Sequence, residues 1–173
     1  MEAGTEPGET VRERTVSWDD PALSARRGLE MSGLEYVTAI RNGEISTPPM
    51  SVLLGFQLSE VEEGRVVFEA EPGEHHYNPM NSVHGGLALT MLDSAMGASV
   101  HTTLMRGQFY GTLETKVNLV RGMTADTGRI LAEGKVVHRG NTTATAEATL
   151  RTAESGKLLA HGTSTCLLLA PSG

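Results

Sequence analysis

Apolar and small residues fill the middle of the chain from Gly85 to Met105, and Asp93 carries the only formal charge in this stretch. The length and spacing predict a long helix that is apolar on nearly all sides and therefore needs cover on every side. Removing an ionised carboxylate from water costs several kcal/mol unless partners compensate. Asp93 is therefore a candidate either for a structural ion pair or for chemistry.

Beyond this helix the period of the apolar positions changes to two. Between Thr112 and Val120, Leu113, Val117 and Leu119 alternate with polar residues, which predicts a strand with one wet face. Three further strands are predicted at 129–139, 142–152 and 157–168, separated by the turn sequences Arg139-Gly140-Asn141 and Glu154-Ser155-Gly156.

The N-terminal part of the chain predicts a leader and one short helix. Residues 1–20 are polar and without periodicity, which is typical of a disordered leader. Ser32 has capping-box spacing to Glu35, and the helical spacing of apolar residues continues until Gly43. Pro48-Pro49 then predicts an extended connection.

A hairpin of strands at 55–61 and 65–70 precedes the long helix. The element order is thus two strands, one long helix and four strands, which indicates the α+β class. We expect a largely antiparallel, strongly curved sheet of about six strands wrapped around the long helix, with a short N-terminal helix. One domain is predicted to span 21–173.

Composition narrows the possible functions. The 173 residues carry a net charge of -7 with only 14 Lys and Arg, which argues against nucleic acid as a partner. The single cysteine, Cys166, excludes an intramolecular disulfide and suits a reducing compartment. No apolar run is long enough for a membrane span, and residues 1–20 lack the apolar core of a signal peptide, so we expect a cytoplasmic protein without membrane partners.

The start of the long helix offers a second candidate for chemistry. Gly85-Gly86 leaves backbone N–H groups unhindered at the positive end of a helix, which suits an oxyanion, although two glycines also permit a tight turn. Asp93 lies eight residues further on, or roughly 12 Å along a helix. Both groups can therefore act on one carbonyl only if two copies of the chain pair with antiparallel helices.

The run from His76 to Asp93, with Asn78 and His84-Gly85-Gly86, resembles the hotdog-fold acyl-CoA thioesterases of the phenylacetate-pathway (PaaI-like) type. The likeness extends over about 28–168 through a series of short motifs in the family's order: Gly33-Leu34-Glu35, Pro48-Pro49, Leu54-Gly55-Phe56, Thr112-Leu113-Glu114, Val137-His138-Arg139-Gly140 and Ala160-His161-Gly162-Thr163.

This resemblance implies a role for each matching residue. Asp93 matches the catalytic carboxylate, which activates water or attacks the thioester itself. Gly85 matches the backbone donor to the thioester carbonyl, Asn78 a residue that positions substrate or water, and Thr112 a Ser or Thr near the nucleophilic water. A turn that holds coenzyme A in the family matches His138, Arg139, Gly140, Asn141 and Thr142.

The resemblance also implies a substrate. The substrate is an acyl- or aryl-acyl-CoA, coenzyme A is part of it, and no further cofactor is expected. The spacing of Gly85 and Asp93 predicts a homodimer with active sites at the interface, and exposed sheet or helix faces favour a dimer-of-dimers tetramer. Asn81 stands where the family has Gly, which predicts a left-handed residue in the loop, and Asn141 replaces a residue that is often basic.

Some interpretations remain open at this point. His84 is either a general base or a residue that fixes the loop by bonding to its backbone. His75, His76 and His84 lack the spacing of a metal site, so no metal is expected. The alternative functions are a non-catalytic acyl-CoA-binding module and a hotdog-fold hydratase or dehydratase that acts on acyl thioesters.

Overall fold

Residues 11–170 of the chain are described by a computed structural model. The first half of the predicted leader, residues 1–10, lies outside this range. Residues 11–20 form no helix or strand, yet they contact the domain: Arg14 donates to the carbonyl oxygen of Leu53, and Ser46 donates to Asp19. The second half of the leader therefore lies along the short helices that follow it.

Six antiparallel strands form one sheet, as the sequence predicts. They are β1 (Phe56–Glu62), β2 (Arg65–Ala70), β3 (Phe109–Leu119), β4 (Ile130–Arg139), β5 (Thr143–Thr152) and β6 (Leu158–Leu169). Their order in the sheet is β1-β2-β4-β5-β6-β3, so β1 and β3 are the two edge strands.

The long helix α4 (Gly85–His101) lies in the hollow of this sheet and contacts β2 to β6. Its core side chains include Met91, Leu92 and Met96, each fully buried. Gly134 of β4 allows the closest approach, because a Cβ at this position would lie 2.2 Å from the carbonyl oxygen of Ala95. Helix and sheet therefore meet backbone to backbone at this point.

The sheet does not cover the whole of α4, contrary to the expectation of cover on every side. Gly86, Leu89, Thr90 and Asp93 recur at helical spacing and form one stripe that the chain leaves partly open. Leu89 in this stripe is 45% exposed. The only carboxylate of the helix thus lies on the side that the curved sheet does not reach.

Three short helices precede the sheet, where the sequence predicted one. The predicted helix is α2 (Gly33–Arg41), whose capping box between Ser32 and Glu35 is present in full. The extended connection predicted at Pro48-Pro49 is wrong, because Pro49 begins α3 (Pro49–Leu54). A proline suits the first helical position, where its fixed φ is helical and no N–H is needed.

The remaining short helix is α1 (Pro21–Leu29), which the sequence analysis missed. It is capped by Asp20 and also begins at a proline, but none of its residues is buried. None of the helices between residues 11 and 170 is long and apolar enough to cross a membrane.

The contact between Gly134 and Ala95 gives a test of the packing. We expect Gly134→Ala to lower the free energy of unfolding by about 1–3 kcal/mol, because backbone atoms must shift to admit the methyl group. Gly122→Ala is the matched control, since a Cβ there meets no atom within 4 Å. Urea unfolding of both variants measures the difference, and equal stabilities would contradict the backbone contact.

Candidate active site

Helix α4 begins with a histidine cap. The Nδ1 atom of His84 accepts a hydrogen bond from the N–H of Gly86 at 2.8 Å. A Cβ at position 86 would lie 2.8 Å from the same Nδ1 atom, which explains the glycine. The geometry is that of a residue that fixes the loop to the helix.

The N–H of Gly85 makes no hydrogen bond with another residue of the range 11–170. It lies at the positive end of α4, beside a cavity of about 250 Å³ that Asn78, Leu119 and Val120 also line. A Cβ at position 85 would lie 2.6 Å from Cδ1 of Leu119, so glycine keeps this approach open. The arrangement provides a free backbone donor for an oxyanion or a carbonyl oxygen.

The loop before the helix is held by Asn78. Its Oδ1 atom accepts from the N–H of Met80 at 2.8 Å, and its Nδ2 atom donates to Oγ of Ser82 at 3.0 Å. Asn81 has a φ of 58°, as predicted for this position, and is the only residue other than glycine with positive φ among residues 11–170. In this structure the polar atoms of Asn78 order the loop that leads to Gly85.

Asp93 is half-buried and is held by two threonines of β3. Thr115 donates to Oδ1 of Asp93 at 2.8 Å, and Thr112 donates to the same oxygen at 3.4 Å. No residue in the described part of the chain donates a hydrogen bond to Oδ2. One carboxylate oxygen is therefore fixed, and the other remains available to a water molecule or a substrate.

Thr115 was not predicted from the sequence. In a regular strand, residues three apart point to opposite faces, so Thr112 and Thr115 would not meet the same carboxylate. The register between β3 and β6 shifts between Thr112 and Glu114, and this bulge turns both threonines toward α4. The bulged residue, Leu113, is 61% exposed instead of pointing inward as the alternation suggested.

The turn predicted to hold coenzyme A, residues 138–142, joins β4 to β5 and is largely exposed. Pairing across the sheet places Thr143 opposite Leu167, which in turn lies opposite Gly111. Two strand spacings, or about 10 Å, therefore separate the start of β5 from the residue next to Thr112. Arg139 also donates to Gln108 just before β3, at 3.4 Å.

The adjacent histidines 75 and 76 have structural contacts. Their rings lie 3.8 Å apart between centroids, and the ring nitrogens of His76 bond to the N–H of Gly73 and the carbonyl oxygen of Leu54. Burial, and secondly the charges of His76 and Arg14, lower the pKa of His75. Within residues 11–170 no group of three or more His, Cys, Asp or Glu side chains is arranged to hold a metal ion.

Comparisons with known proteins bear on both the fold and the site. Residues 80–159, which include Gly85, Asp93 and Thr115, match the family model described as the thioesterase superfamily. No curated protein sequence matches the chain. Solved structures provide many matches.

A putative thioesterase from Ralstonia eutropha JMP134, described as a phenylacetic acid degradation-related protein, is 26% identical over 76% of this chain and 98% of its own, with a TM-score of 0.68. A conserved protein of Pseudomonas aeruginosa is 25% identical over 71% of this chain and 95% of its own, with a TM-score of 0.66. The PaaI protein of E. coli covers 81% of this chain and 96% of its own with a TM-score of 0.68, and at 18% identity this likeness concerns the fold alone.

These matches agree with the architecture described above, in which a curved six-stranded sheet surrounds a long helix that begins at Gly85 and carries Asp93. The chain has the hotdog fold, residues 80–159 resemble the thioesterase superfamily, and these matches support a thioester hydrolase.

Proposed function

We propose that the protein hydrolyses an acyl-CoA thioester at a site built from two copies of the chain. The carbonyl oxygen of the thioester accepts a hydrogen bond from the N–H of Gly85 in one subunit. Asp93 of the facing subunit takes a proton from water as the water oxygen attacks the carbonyl carbon. The carbon–sulfur bond then breaks, and coenzyme A leaves as a thiolate while the free acid forms.

The single observation that carries this proposal is the state of the two polar groups on α4. Gly85 has an unused N–H at the helix start, and Asp93 has one oxygen held by Thr115 and one oxygen without a donor. A structural ion pair, the other reading of Asp93, is not formed with any described residue. The alternative in which Asp93 attacks the carbonyl directly uses the same free oxygen.

The surface around Asp93 supports a dimer. Strand β3 is an edge of the sheet, its leucines Leu113 and Leu119 are 61% and 56% exposed, and Leu89 of α4 is also exposed. An open strand edge flanked by apolar side chains is suited to pairing with a second copy. Within one chain Gly85 and Asp93 lie roughly 12 Å apart along the helix, too far to act on one carbonyl. A two-fold axis beside α4 would bring Gly85 of one copy toward Asp93 of the other. Pairing of two such dimers into a tetramer is part of the proposal.

Coenzyme A fits the β4–β5 turn of the same chain. Arg139 offers a guanidinium to a phosphate group, while Gly140 and Asn141 leave the turn open to solvent. The start of β5 lies about 10 Å from the residue next to Thr112 across the sheet. This distance suits the arm of coenzyme A that links the nucleotide to the thioester. Asn141 contributes no charge, so Arg139 is the main cation of this turn, with His138 beside it.

Replacing the proposed base tests the reaction. We expect Asp93→Asn to lower kcat for thiol release by about 10²- to 10⁴-fold, because an amide cannot take the proton from water. Asp126→Asn, which removes an exposed carboxylate far along the sequence, serves as the control and should keep full turnover. A screen of acyl-CoA and aryl-acyl-CoA thioesters with a thiol reagent measures both variants. Undiminished turnover in Asp93→Asn would exclude the mechanism.

Replacing Gly85 tests the donor and the assembly together. Proline fits the first position of a helix and removes only the N–H, so we expect Gly85→Pro to lower kcat about 10²- to 10³-fold. Gly85→Ala makes the same first contact with Leu119 but keeps the N–H, and is the matched control.

Mixed subunits of Gly85→Pro and Asp93→Asn should regain roughly a quarter of the wild-type turnover, because each heterodimer contains one site with both groups intact. Each variant alone stays inactive. If refolded mixtures remain as inactive as the separate variants, the two groups do not combine across an interface.

The two threonines allow a graded test of how Asp93 is held. Thr115→Val removes the 2.8 Å hydrogen bond and should lower kcat by about 10- to 100-fold with little change in KM. Thr112→Val removes the 3.4 Å contact and should have the smaller effect. Steady-state kinetics of both variants measure which substitution lowers kcat more. A larger loss of kcat in Thr112→Val than in Thr115→Val would contradict the prediction.

A further inference from the structure

A second and larger cavity, of about 480 Å³, lies beside α4. It falls in the roughly 300–1,000 Å³ range of small-molecule sites. Its floor is the stripe Ser94, Ala98 and His101 of α4, and helix α2 covers it. The two edge strands also contribute, with Leu58 from β1 and Tyr110 from β3. The cavity therefore occupies the opening that the curved sheet leaves between its edges.

One end of this cavity lies close to the proposed base along the chain, because the lining residue Ser94 directly follows Asp93. Burial raises the pKa of Tyr110 strongly, and the charge of nearby Asp93 contributes in the same direction. A carbonyl group beside Asp93 can therefore send its acyl group along the stripe toward His101.

The walls near the middle of the cavity are apolar, whereas the far part carries polar groups without partners. Val37, Phe68 and Ala98 supply apolar surface. The hydroxyl of Tyr36 and the ring nitrogens of His101 make no hydrogen bond with any residue of the range 11–170, and because no fully buried side-chain N or O atom in this range lacks a partner, these atoms face open space. The rings of Tyr36 and His101 lie 5.3 Å apart between centroids, so both side chains line the same part of the cavity.

His101 can both donate and accept a hydrogen bond in this place. Burial lowers its pKa, which keeps the ring neutral at pH 7 with one N–H and one bare nitrogen. An alkyl chain would leave these nitrogens and the Tyr36 hydroxyl without partners, which disfavours it relative to a group with an oxygen atom. Beyond Tyr36 and His101 the cavity opens to solvent at the exposed residues Arg41 and Asn42. A polar end of the acyl group can therefore stay hydrated.

The spacing along α4 sets the length of a matching acyl group. His101 lies seven residues beyond Ser94, or about 10 Å along the helix axis. An extended chain advances roughly 3.5 Å for every three bonds, so about eight bonds cover this distance. We propose that the cavity holds the acyl group and that Tyr36 and His101 select a medium-length acyl group with a hydroxyl or similar oxygen about eight bonds from the thioester carbon. This inference rests on the proposed thioesterase function.

A matched pair of substrates tests the inference. We expect 8-hydroxyoctanoyl-CoA to be hydrolysed with a kcat/KM about tenfold above that of octanoyl-CoA, the ratio that corresponds to about one net hydrogen bond. Tyr36→Phe and His101→Phe should each move the ratio toward one, because each removes a partner for the oxygen of the hydroxylated chain. Tyr77→Phe is the control, because the Tyr77 hydroxyl bonds to the N–H of Ala125 outside this cavity and its loss should leave the ratio unchanged.

Binding is measured separately from turnover. Calorimetric titration of Asp93→Asn with the same two thioesters gives the ratio of their Kd values without hydrolysis, and the tenfold preference should appear there as well. A ratio near one in the wild type, or a ratio that survives in both Tyr36→Phe and His101→Phe, overturns the inference. If the wild type releases thiol from neither substrate, the proposed function fails, and the titration still decides whether the cavity prefers the hydroxylated chain.

Discussion

The structure depends on one constraint, which is that helix α4 must be packed on most of its circumference while it carries a carboxylate. The buried side of the helix, with Met91, Leu92 and Met96, fixes it in the hollow of the sheet. Asp93 cannot join that side without the large cost of an unpaired buried charge. It therefore lies on the uncovered stripe, where two threonine hydroxyls hold one oxygen and the other stays available. The requirement that keeps the acid out of the core also keeps it accessible.

The glycines of the chain serve this arrangement in two different ways. Gly134 brings β4 against the backbone of α4, so the helix lies deep in the curved sheet and its orientation is fixed. Gly86 makes room for the ring of His84, which caps the helix and leaves the neighbouring N–H of Gly85 unused. Gly134 thus determines where Asp93 points, and Gly86 allows the cap that leaves the N–H of Gly85 unused.

Sequence periodicity predicted the parts of the molecule that bury apolar surface. The strands repeat their apolar positions with a period of two, α4 is a long and nearly uncharged apolar stretch, and the capping box of α2 is a local signal. Helix α3 was missed because Pro48-Pro49 indicated a break instead of a first turn, and α1 was missed although Asp20 and Pro21 form a helix start. Thr115 was missed for another reason: a bulge in β3 changes which residues share a face, and no local pattern in the sequence marks its position.

The faces of α4 relate the reaction to the substrate. Consecutive residues on a helix point about 100° apart, so Asp93 belongs to the uncovered stripe while Ser94 belongs to the floor of the larger cavity. In the proposed mechanism, a thioester carbon beside Asp93 would have its oxygen directed toward a second subunit and its acyl group directed into the cavity of the same subunit. Gly85, and at the far end Tyr36 and His101, would then act on opposite ends of one acyl group. Catalysis and acyl selection can accordingly vary separately, because they use different faces of one rigid helix.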